Sequence, residues 1–262
     1  MKAKKSLGQH FLTSEAAVHH MVEASGAHTG DTVLEIGPGK GVLTKAILKT
    51  GASVVVVEKD ERMIPLLSET FNAEIENKQL TIAPGDILTT DIEKIIKGPY
   101  SVVANIPYYI TGEIMRLFLE HKKQPTSMTL LVQKEVALRI VAKDKKEGVL
   151  SLSVKVFGVP SLVSVVKRGS FFPIPNVDSA IIHIEVGGQK LEAGERDDFF
   201  KIVKIGLGHK RKILISNLKD LYEKDTLSRV FTELSLPLEV RGEDLSIDQW
   251  VELVKKLISQ TA

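Results

Sequence analysis

The sequence predicts an α/β fold, a mostly parallel sheet with an antiparallel pair at one edge, followed by a small all-α C-terminal domain. Two patterns predict it. Short β-branched runs alternate with helical patterns from residue 14 to about 160, as in βαβ units. Residues 195–260 carry only helical periodicity, with breaks near Gly208 and Pro237. We therefore expect two domains, residues 1–188 and 189–262.

Five strands are predicted in the first domain, where short β-branched runs alternate with helical patterns. They are "TVLEIG" at 32–37, "SVVVVEK" at 53–59, "LTIAPGD" at 80–86, "YSVVANI" at 100–106 and "SMTLLVQ" at 127–133. Two further runs, "SLVSVVKR" and "SAIIHIEV", leave no room for a long helix between them. They are expected to form the antiparallel pair at the sheet edge.

Composition restricts the class of protein. Hydrophobic residues make up 43% and charged residues 26%, as in a soluble globular chain. No apolar run is long enough to span a membrane, and the N-terminus lacks the apolar region of a secretory signal, so we expect a cytoplasmic protein. The chain has no cysteine, which excludes disulfides, thiolate catalysis and cysteine-bound zinc. We expect no metal.

Basic residues are clustered although the net charge is only +2. Clustering matters more than the sum of charges for binding a polyanion, although each cluster alone is also compatible with a solvated surface. The clusters with a candidate role in binding RNA phosphates are Lys4 and Lys5, Lys167 and Arg168, and Lys210, Arg211 and Lys212.

A glycine-rich turn follows the first strand in "LEIGPGKGVLT". Gly37, Gly39 and Gly41 permit close approach of the backbone to a ligand, which fits a dinucleotide, S-adenosylmethionine or simply a tight turn. Glu58 ends the second strand 21 residues (58 − 37) after Gly37, where a carboxylate can accept hydrogen bonds from ribose hydroxyls. This spacing indicates a Rossmann-like nucleoside site.

Two features favour a ligand without a phosphate over NAD. The Gly-x-Gly-x-Gly spacing, with Glu35 just ahead, differs from the Gly-x-Gly-x-x-Gly that seats a pyrophosphate. Asp86 closes the third strand, where its side chain can accept a hydrogen bond from the exocyclic amine of an adenine. The same aspartate also suits the N-cap of a helical turn, and the sequence leaves both interpretations open.

The segment "VVANIPYYIT" places Asn105 and Tyr108 at the end of the fourth strand, where open α/β sheets bind ligands. The Asn105 side-chain oxygen and the Ile106 carbonyl can both accept hydrogen bonds from an amino group, and Pro107 fixes φ and removes a competing donor. Such a grip suits methyl transfer to adenine N6, with Tyr108 stacked on the base. The alternative is that Asn105 caps a turn and the tyrosines fill the core.

Six motifs occur together in order: "SLGQHFL", "EIGPGKGVLT", "ANIPYYIT", "LVQKEVALRI", "FFPIPNVDSAII" and "GHKRKILISNL". With them the chain resembles, over nearly its whole length, the small-subunit ribosomal RNA adenine N6,N6-dimethyltransferases of the KsgA type. The resemblance implies a class I methyltransferase sheet and S-adenosylmethionine as cofactor. It also implies cofactor contacts from His10, Leu12, Gly37, Gly39, Glu58, Asp86 and Asn105.

The resemblance also implies a target-adenine site at Asn105, Ile106, Pro107 and Tyr108, with Phe171 on the other face of the base. The implied reaction is dimethylation of two adjacent adenosines near the 3′ end of small-subunit rRNA, with the helical domain docking on the immature subunit. We expect a monomer. The alternatives are a large-subunit rRNA methyltransferase of the macrolide-resistance type, a non-catalytic ribosome-assembly factor and a NAD-dependent oxidoreductase.

Overall fold

The computed structural model describes residues 9–188, 190–209 and 211–260. The chain forms two units: one runs to Ala137 and includes Val159–Val186, and the other comprises Leu138–Gly158 and the chain from Gly187 onward. Residues 138–158 were predicted in the first domain, and the structure differs there. They belong to the helical unit because Phe157 packs against Phe200, with ring centroids 6.4 Å apart.

All five predicted strands are confirmed to within two residues at each end, although the third, Leu80–Pro84, lies at a sheet edge and is mostly not buried. The strands of the described ranges follow in chain order. They are β1 Phe11–Leu12, β2 Thr32–Ile36, β3 Ser53–Glu58, β4 Leu80–Pro84, β5 Ser101–Asn105, β6 Ser127–Gln133, β7 Gly158–Val166, β8 Phe171–Phe172 and β9 Ser179–Val186. The helices are α1 Glu15–Ser25, α2 Val42–Leu48, α3 Met63–Thr70, α4 Asn72–Glu76, α5 Ile92–Ile95, α6 Thr111–Leu119, α7 Lys134–Val141, α8 Val149–Lys155, α9 Arg196–Gly206, α10 Leu214–Leu218, α11 Lys224–Glu233 and α12 Ile247–Ser259.

Seven strands form one sheet in the order β4-β3-β2-β5-β6-β9-β7. β4, β3, β2, β5 and β6 are mutually parallel, and β9 is antiparallel to β6. The Gly187 amide donates to the Phe157 carbonyl at 2.9 Å and the Arg168 amide donates to Asp178 at 3.0 Å, so the start of β7 lies beside the end of β9 and its end beside the start of β9. The predicted antiparallel pair at the sheet edge is therefore confirmed, and the edge position of β7 accommodates Pro160.

A second, two-stranded sheet was not predicted. β1 pairs antiparallel with β8, Phe11 opposite Phe172 and Leu12 opposite Phe171. Strands of two residues carry no detectable period, so nothing in the hydrophobic pattern distinguishes them from loop. This small sheet brings the "QHFL" segment to the main sheet.

The core of the first unit lies between the parallel strands and the helices that cover them. Met21 of α1, Ile47 of α2 and Leu67 of α3 are buried against valines of β2 and β3. Helix α1 begins where the Ser14 hydroxyl accepts from the amide of Ala17, and it ends at Gly26, whose φ is 65°. Both ends of the first helix that packs on the sheet are therefore defined by caps.

The helical unit has its own core, formed by residues such as Phe199, Phe231 and Trp250. The Trp250 indole N–H donates to the carbonyl of Gly242 at 3.0 Å, which satisfies its buried donor. Helix α12 begins with a capping box, in which Ser246 and Gln249 each bond the other's backbone amide. The breaks predicted near Gly208 and Pro237 are confirmed, since both residues lie between helices.

Candidate active site

The ends of four parallel strands meet at one edge of the sheet and surround a cavity of about 330 Å³. Gly37 follows β2, Glu58 ends β3, Asp86 lies two residues beyond β4, and Asn105 ends β5. His10, just before β1, and Leu12, within β1, also line the cavity. Every residue predicted to contact the cofactor lines the cavity.

The glycine turn leaves no room for side chains at two positions. A Cβ on Gly41, whose φ is 77°, would lie 2.4 Å from the Phe71 ring. A Cβ on Gly39, whose φ is 55°, would lie 3.0 Å from the ring of Phe11. The turn can therefore pass this close to its aromatic neighbours only with glycine at both positions.

Glu58 is nearly buried and accepts two backbone amides. Its Oε2 accepts from Gly39 at 3.1 Å and its Oε1 from Asp60 at 2.7 Å. Burial raises the pKa of Glu58, and these two hydrogen bonds act in the opposite direction. The carboxylate thus joins the glycine turn to the end of β3, and its remaining acceptor positions are available to a ligand.

Glu35 is a buried carboxyl in the cavity wall. Its pKa is raised to about 8. Burial is the largest cause, the hydrogen bond of the Thr44 hydroxyl lowers the pKa, and the charge of Glu58 raises it. In the part of the chain that the structure describes, Glu35 Oε2 has no hydrogen-bond partner. A buried oxygen without a partner is costly, and one facing a cavity suits a ligand that carries a donor.

Of the two interpretations that the sequence left open for Asp86, the helix N-cap is not what the structure shows. Its Oδ1 accepts from the amide of Leu88 at 3.1 Å, which forms a turn and not a helix N-cap. Its Oδ2 accepts from Lys59 Nζ at 2.6 Å, and this hydrogen bond is the largest cause of the lowered pKa of Asp86. Asp86 still lines the cavity and keeps free acceptor positions.

Asn105 has a defined orientation. Its Nδ2 donates to the carbonyl of His10 at 3.0 Å, which directs Oδ1 away from that bond. Ile106, Pro107 and Tyr108 follow it along the cavity wall. Asn105 therefore does not act as a simple turn cap, and an acceptor oxygen is held at the end of β5.

Tyr108 is held on two sides. Its hydroxyl lies 2.6 Å from the hydroxyl of Ser179, which is fully buried at the start of β9. Its ring stacks against His10, with centroids 5.9 Å apart and 21° between the planes. The His10 Nδ1 in turn lies 2.7 Å from the carbonyl oxygen of Pro173. Tyr108 is a fixed flat surface beside Asn105.

Phe171 does not line the cavity. It is 3% exposed and belongs to the hydrophobic core together with Leu12, its partner in the β1–β8 pair. Phe172 next to it is exposed. The predicted role of Phe171 against the base remains a prediction, and the structure places its side chain in the core.

The predicted RNA-binding residues are distributed over both units. Lys167 is exposed and pairs with Asp178 at 3.2 Å, and Arg168, Arg211 and Lys212 are exposed. Lys4, Lys5 and Lys210 lie outside the described residues. Over the described ranges, no helix is long and apolar enough to cross a membrane. The same ranges contain no group of three or more His, Asp or Glu side chains able to hold a metal ion.

Sequence reasoning missed three partners of the site residues, all distant in the chain. These are Lys59 on Asp86, Ser179 on Tyr108, and Gln9, which donates to Asp60 at 3.0 Å. Gln9 lies in the quoted motif "SLGQHFL", but no local pattern indicates its partner. The signal available was only that these polar residues flank the ligand-binding motifs.

The sheet, the glycine turn and the cavity at the strand ends define a Rossmann-like methyltransferase. The family profile described as "Ribosomal RNA adenine dimethylase" matches residues 1–259. "Ribosomal RNA small subunit methyltransferase A" of Dehalococcoides mccartyi strain BAV1 is 41% identical over 258 residues, covering 97% of this chain and 88% of the relative. The protein of the same name from Fusobacterium nucleatum is 36% identical, with 97% of each chain covered.

Two solved structures share the fold of this chain. A dimethyladenosine transferase from Plasmodium falciparum has a TM-score of 0.84 and 25% identity, covering 96% of this chain and 98% of that one. The 23S rRNA methyltransferase ErmE has a TM-score of 0.79 at 22% identity, covering 95% and 99%, which shows the shared fold alone. The chain belongs to the ribosomal RNA adenine dimethylase family and is an rRNA adenine dimethyltransferase. The resemblance drawn from the motifs is confirmed, and the interpretation as a NAD-dependent oxidoreductase is rejected.

Proposed function

We propose that the protein uses S-adenosylmethionine to dimethylate N6 of two adjacent adenosines near the 3′ end of small-subunit rRNA, during ribosome biogenesis. The observation that carries the proposal is the orientation of Asn105. Because its Nδ2 is engaged by the His10 carbonyl, its Oδ1 is free to accept from an amine. The carbonyl of Ile106 would be the second acceptor. The substrate is the rRNA of the immature subunit, and we expect a cytoplasmic monomer.

The cavity residues fit the proposed cofactor. Glu58 would accept from the ribose hydroxyls, and Asp86 from the adenine amine. Glu35, with a buried oxygen that lacks a partner in the described residues, offers an acceptor for a cationic or amino group. When bound, S-adenosylmethionine supplies an electrophilic methyl group on a positively charged sulfur. The oxygens of Glu58 and Asp86 are acceptors, which suits hydroxyl and amino groups and disfavours a pyrophosphate.

The protein's own contribution is to hold the target amine. The nitrogen lone pair of adenine N6 is delocalised into the ring, and two acceptors bonded to its hydrogens draw it out of that conjugation. Tyr108, fixed by Ser179 and His10, offers a flat face on which the base can stack. Positioning of this kind supplies up to about 7–11 kcal/mol of the barrier reduction. The cationic nitrogen formed by methyl transfer is acidic enough to release its proton to water, so no general base of shifted pKa is required.

The experiment is incubation of the protein with small subunits that lack the modification and with methyl-labelled S-adenosylmethionine. Mass spectrometry of the digested rRNA is expected to show N6,N6-dimethyladenosine at two adjacent positions. Asn105→Ala is expected to reduce the rate by about a hundredfold or more, the scale of losing one preorganised contact to the transition state. Asn105→Asp is also expected to fail, because a carboxylate cannot donate to the His10 carbonyl.

The matched control is Asn72→Ala, which removes an exposed asparagine whose side chain donates to Glu76 within α4, away from the cavity wall. It is expected to retain the wild-type rate. Label on large-subunit rRNA would instead support the macrolide-resistance alternative, and an Asn105→Ala enzyme of normal rate would contradict the role of the amide. Tight binding of the subunit without any transfer would support the assembly-factor alternative.

A further inference from the structure

Three large apolar side chains are exposed beside the cavity. Tyr109 is 60% exposed, Phe172 is 63% exposed and Ile174 is 61% exposed. We refer to Tyr109, Phe172 and Ile174 as the rim. Exposed apolar patches of this kind mark binding surfaces more often than single scattered residues do.

Contacts place the rim at the cavity. Tyr109 itself lines the cavity and directly follows Tyr108. Phe172 lies opposite Phe11 in the β1–β8 pair, and Phe11 also lines the cavity. The carbonyl of Pro173, between Phe172 and Ile174, lies 2.7 Å from Nδ1 of His10 in the cavity wall.

The rim is not unfinished core. In β8 successive side chains point to opposite sides, so Phe171 fills the core and Phe172 points outward. The Tyr108 hydroxyl is paired with Ser179, whereas the next residue, Tyr109, leaves its ring in solvent. In both pairs of adjacent aromatics, one ring is fixed inside and the other is presented outside.

Positive charge accompanies these rings. Lys40 is exposed, lines the cavity and places its Nζ 5.2 Å from the centre of the Phe11 ring. Lys59 also lines the cavity, where its Nζ donates to Asp86 Oδ2 at 2.6 Å, and Tyr109 lines the same cavity. Aromatic faces interleaved with lysines are the chemistry by which proteins bind single-stranded nucleic acid.

We propose that Tyr109 and Phe172 are stacking positions for the nucleotides that flank the target adenosine. The inference rests on the proposed function: once a base enters the cavity, its covalently linked neighbours lie over the mouth. There they meet exposed aromatic rings, and Lys40 at the cavity is the cation that pairs with their phosphates. With two adjacent target adenosines, one of the rings holds the adenine that waits while the other is in the cavity.

The test compares rings with apolar side chains that lack a ring. Tyr109→Phe and Phe172→Tyr keep a ring, and Tyr109→Leu and Phe172→Leu keep only apolar volume. We measure kcat and KM for unmethylated small subunits, and the Kd of S-adenosylmethionine by calorimetry. Ring-keeping variants are expected within about twofold of wild type. Each Leu variant is expected to raise KM about tenfold, from the roughly 5- to 100-fold range of losing one base–aromatic stack, without changing the cofactor Kd.

The control is Val159→Ala, because Val159 is as exposed as the rim residues but lies on the edge strand β7 and does not line the cavity. Its kinetics are expected to be unchanged. Leu variants that behave like wild type would overturn the stacking role, and a weakened cofactor Kd would show that the rim covers the cofactor instead of RNA. A wild-type enzyme that transfers no methyl group would overturn the proposed function, and with it this inference; loss confined to the Leu variants separates the two.

Discussion

The hydroxyl pair between Tyr108 and Ser179 gives a quantitative test of how the site is held. Ser179→Ala removes one hydroxyl, Tyr108→Phe removes the other, and the double variant removes both. The two oxygens lie 2.6 Å apart, and neither group is charged. A neutral hydrogen bond of this type contributes about 0.5–1.5 kcal/mol net, whereas a buried partner left alone costs about 1–3 kcal/mol.

Burial decides which single variant is worse. Ser179 is fully buried, so Tyr108→Phe leaves its hydroxyl without a partner in a dry environment. Tyr108 is only partly buried and lines the cavity, so after Ser179→Ala we expect water to reach its hydroxyl through the cavity. We expect about 2 kcal/mol of destabilisation for Tyr108→Phe and about 1 kcal/mol for Ser179→Ala. The double variant is expected to be at least as stable as Tyr108→Phe alone. The coupling free energy between the two hydroxyls is then about 1 kcal/mol.

The assay is thermal unfolding together with methyl-transfer kinetics on small subunits. About 1 kcal/mol corresponds to a Tm shift of roughly 2–4 °C for a chain of this size. Because the hydroxyl pair holds the Tyr108 ring, kcat is expected to fall by several fold in each single variant, while the cofactor Kd stays unchanged. The double variant is expected to have the kcat of the worse single variant.

A matched control is available in the other unit. Ser151 is also fully buried, and its hydroxyl bonds the backbone of Gly148 at the start of α8. Ser151→Ala combined with Tyr108→Phe is expected to be additive in Tm. If Ser179→Ala and Tyr108→Phe prove additive in both Tm and kcat, the two hydroxyls do not act as a unit and the reasoning is refuted.

Three further predictions concern the cavity wall, the glycine turn and the basic cluster. Burial raises the pKa of Glu35 from 4.5 to about 8, so the folded protein keeps a proton that the unfolded chain loses in this range. The free energy of unfolding is therefore expected to fall as pH rises from 4.5 to 8. Glu35→Gln should flatten that pH dependence in denaturant titrations. Gly41 has a positive φ, and Gly41→Ala places a Cβ 2.4 Å from the Phe71 ring, so it should lower the free energy of unfolding by about 2 kcal/mol or more. The control Gly98→Ala, whose Cβ would have no neighbour within 4 Å, should change it by about 0.5 kcal/mol at most. Replacing exposed Arg211 and Lys212 with Ala should weaken small-subunit binding and reduce its logarithmic salt slope by roughly 1.5, and an unchanged slope would show that neither residue contacts phosphate.

The main sheet was predictable because its strands are short apolar runs with β-branched residues, separated by turn residues and helical patterns. "SVVVVEK" became β3 with every residue from Val54 to Glu58 buried, as expected for a central parallel strand. The placement of Glu58, Asp86 and Asn105 around one cavity was predictable for a related reason. Parallel strands end at a common edge, so residues at the ends of different strands meet there without any sequence signal that links them.

The contacts that orient these residues were not predictable. Lys59 and Asp86 are 27 residues apart, Gln9 and Asp60 are 51 apart, and Tyr108 and Ser179 are 71 apart. A polar side chain finds such a partner through the packing of whole elements, which local periodicity does not encode. Phe171 shows the same limit, since a two-residue strand decides by its pairing which of two adjacent phenylalanines points inward.

His10 explains why a strand of only two residues matters for the chemistry. Its carbonyl accepts the amide of Asn105, its ring stacks on Tyr108, and its Nδ1 lies 2.7 Å from the Pro173 carbonyl. A carbonyl can only accept, so Nδ1 must carry the hydrogen, and the tautomer and ring orientation are fixed together. One residue beside β1 therefore sets both the acceptor that faces the target amine and the surface for its base. Pairing of β1 with β8 is what holds that residue in place, so the site depends on the small sheet as much as on the large one.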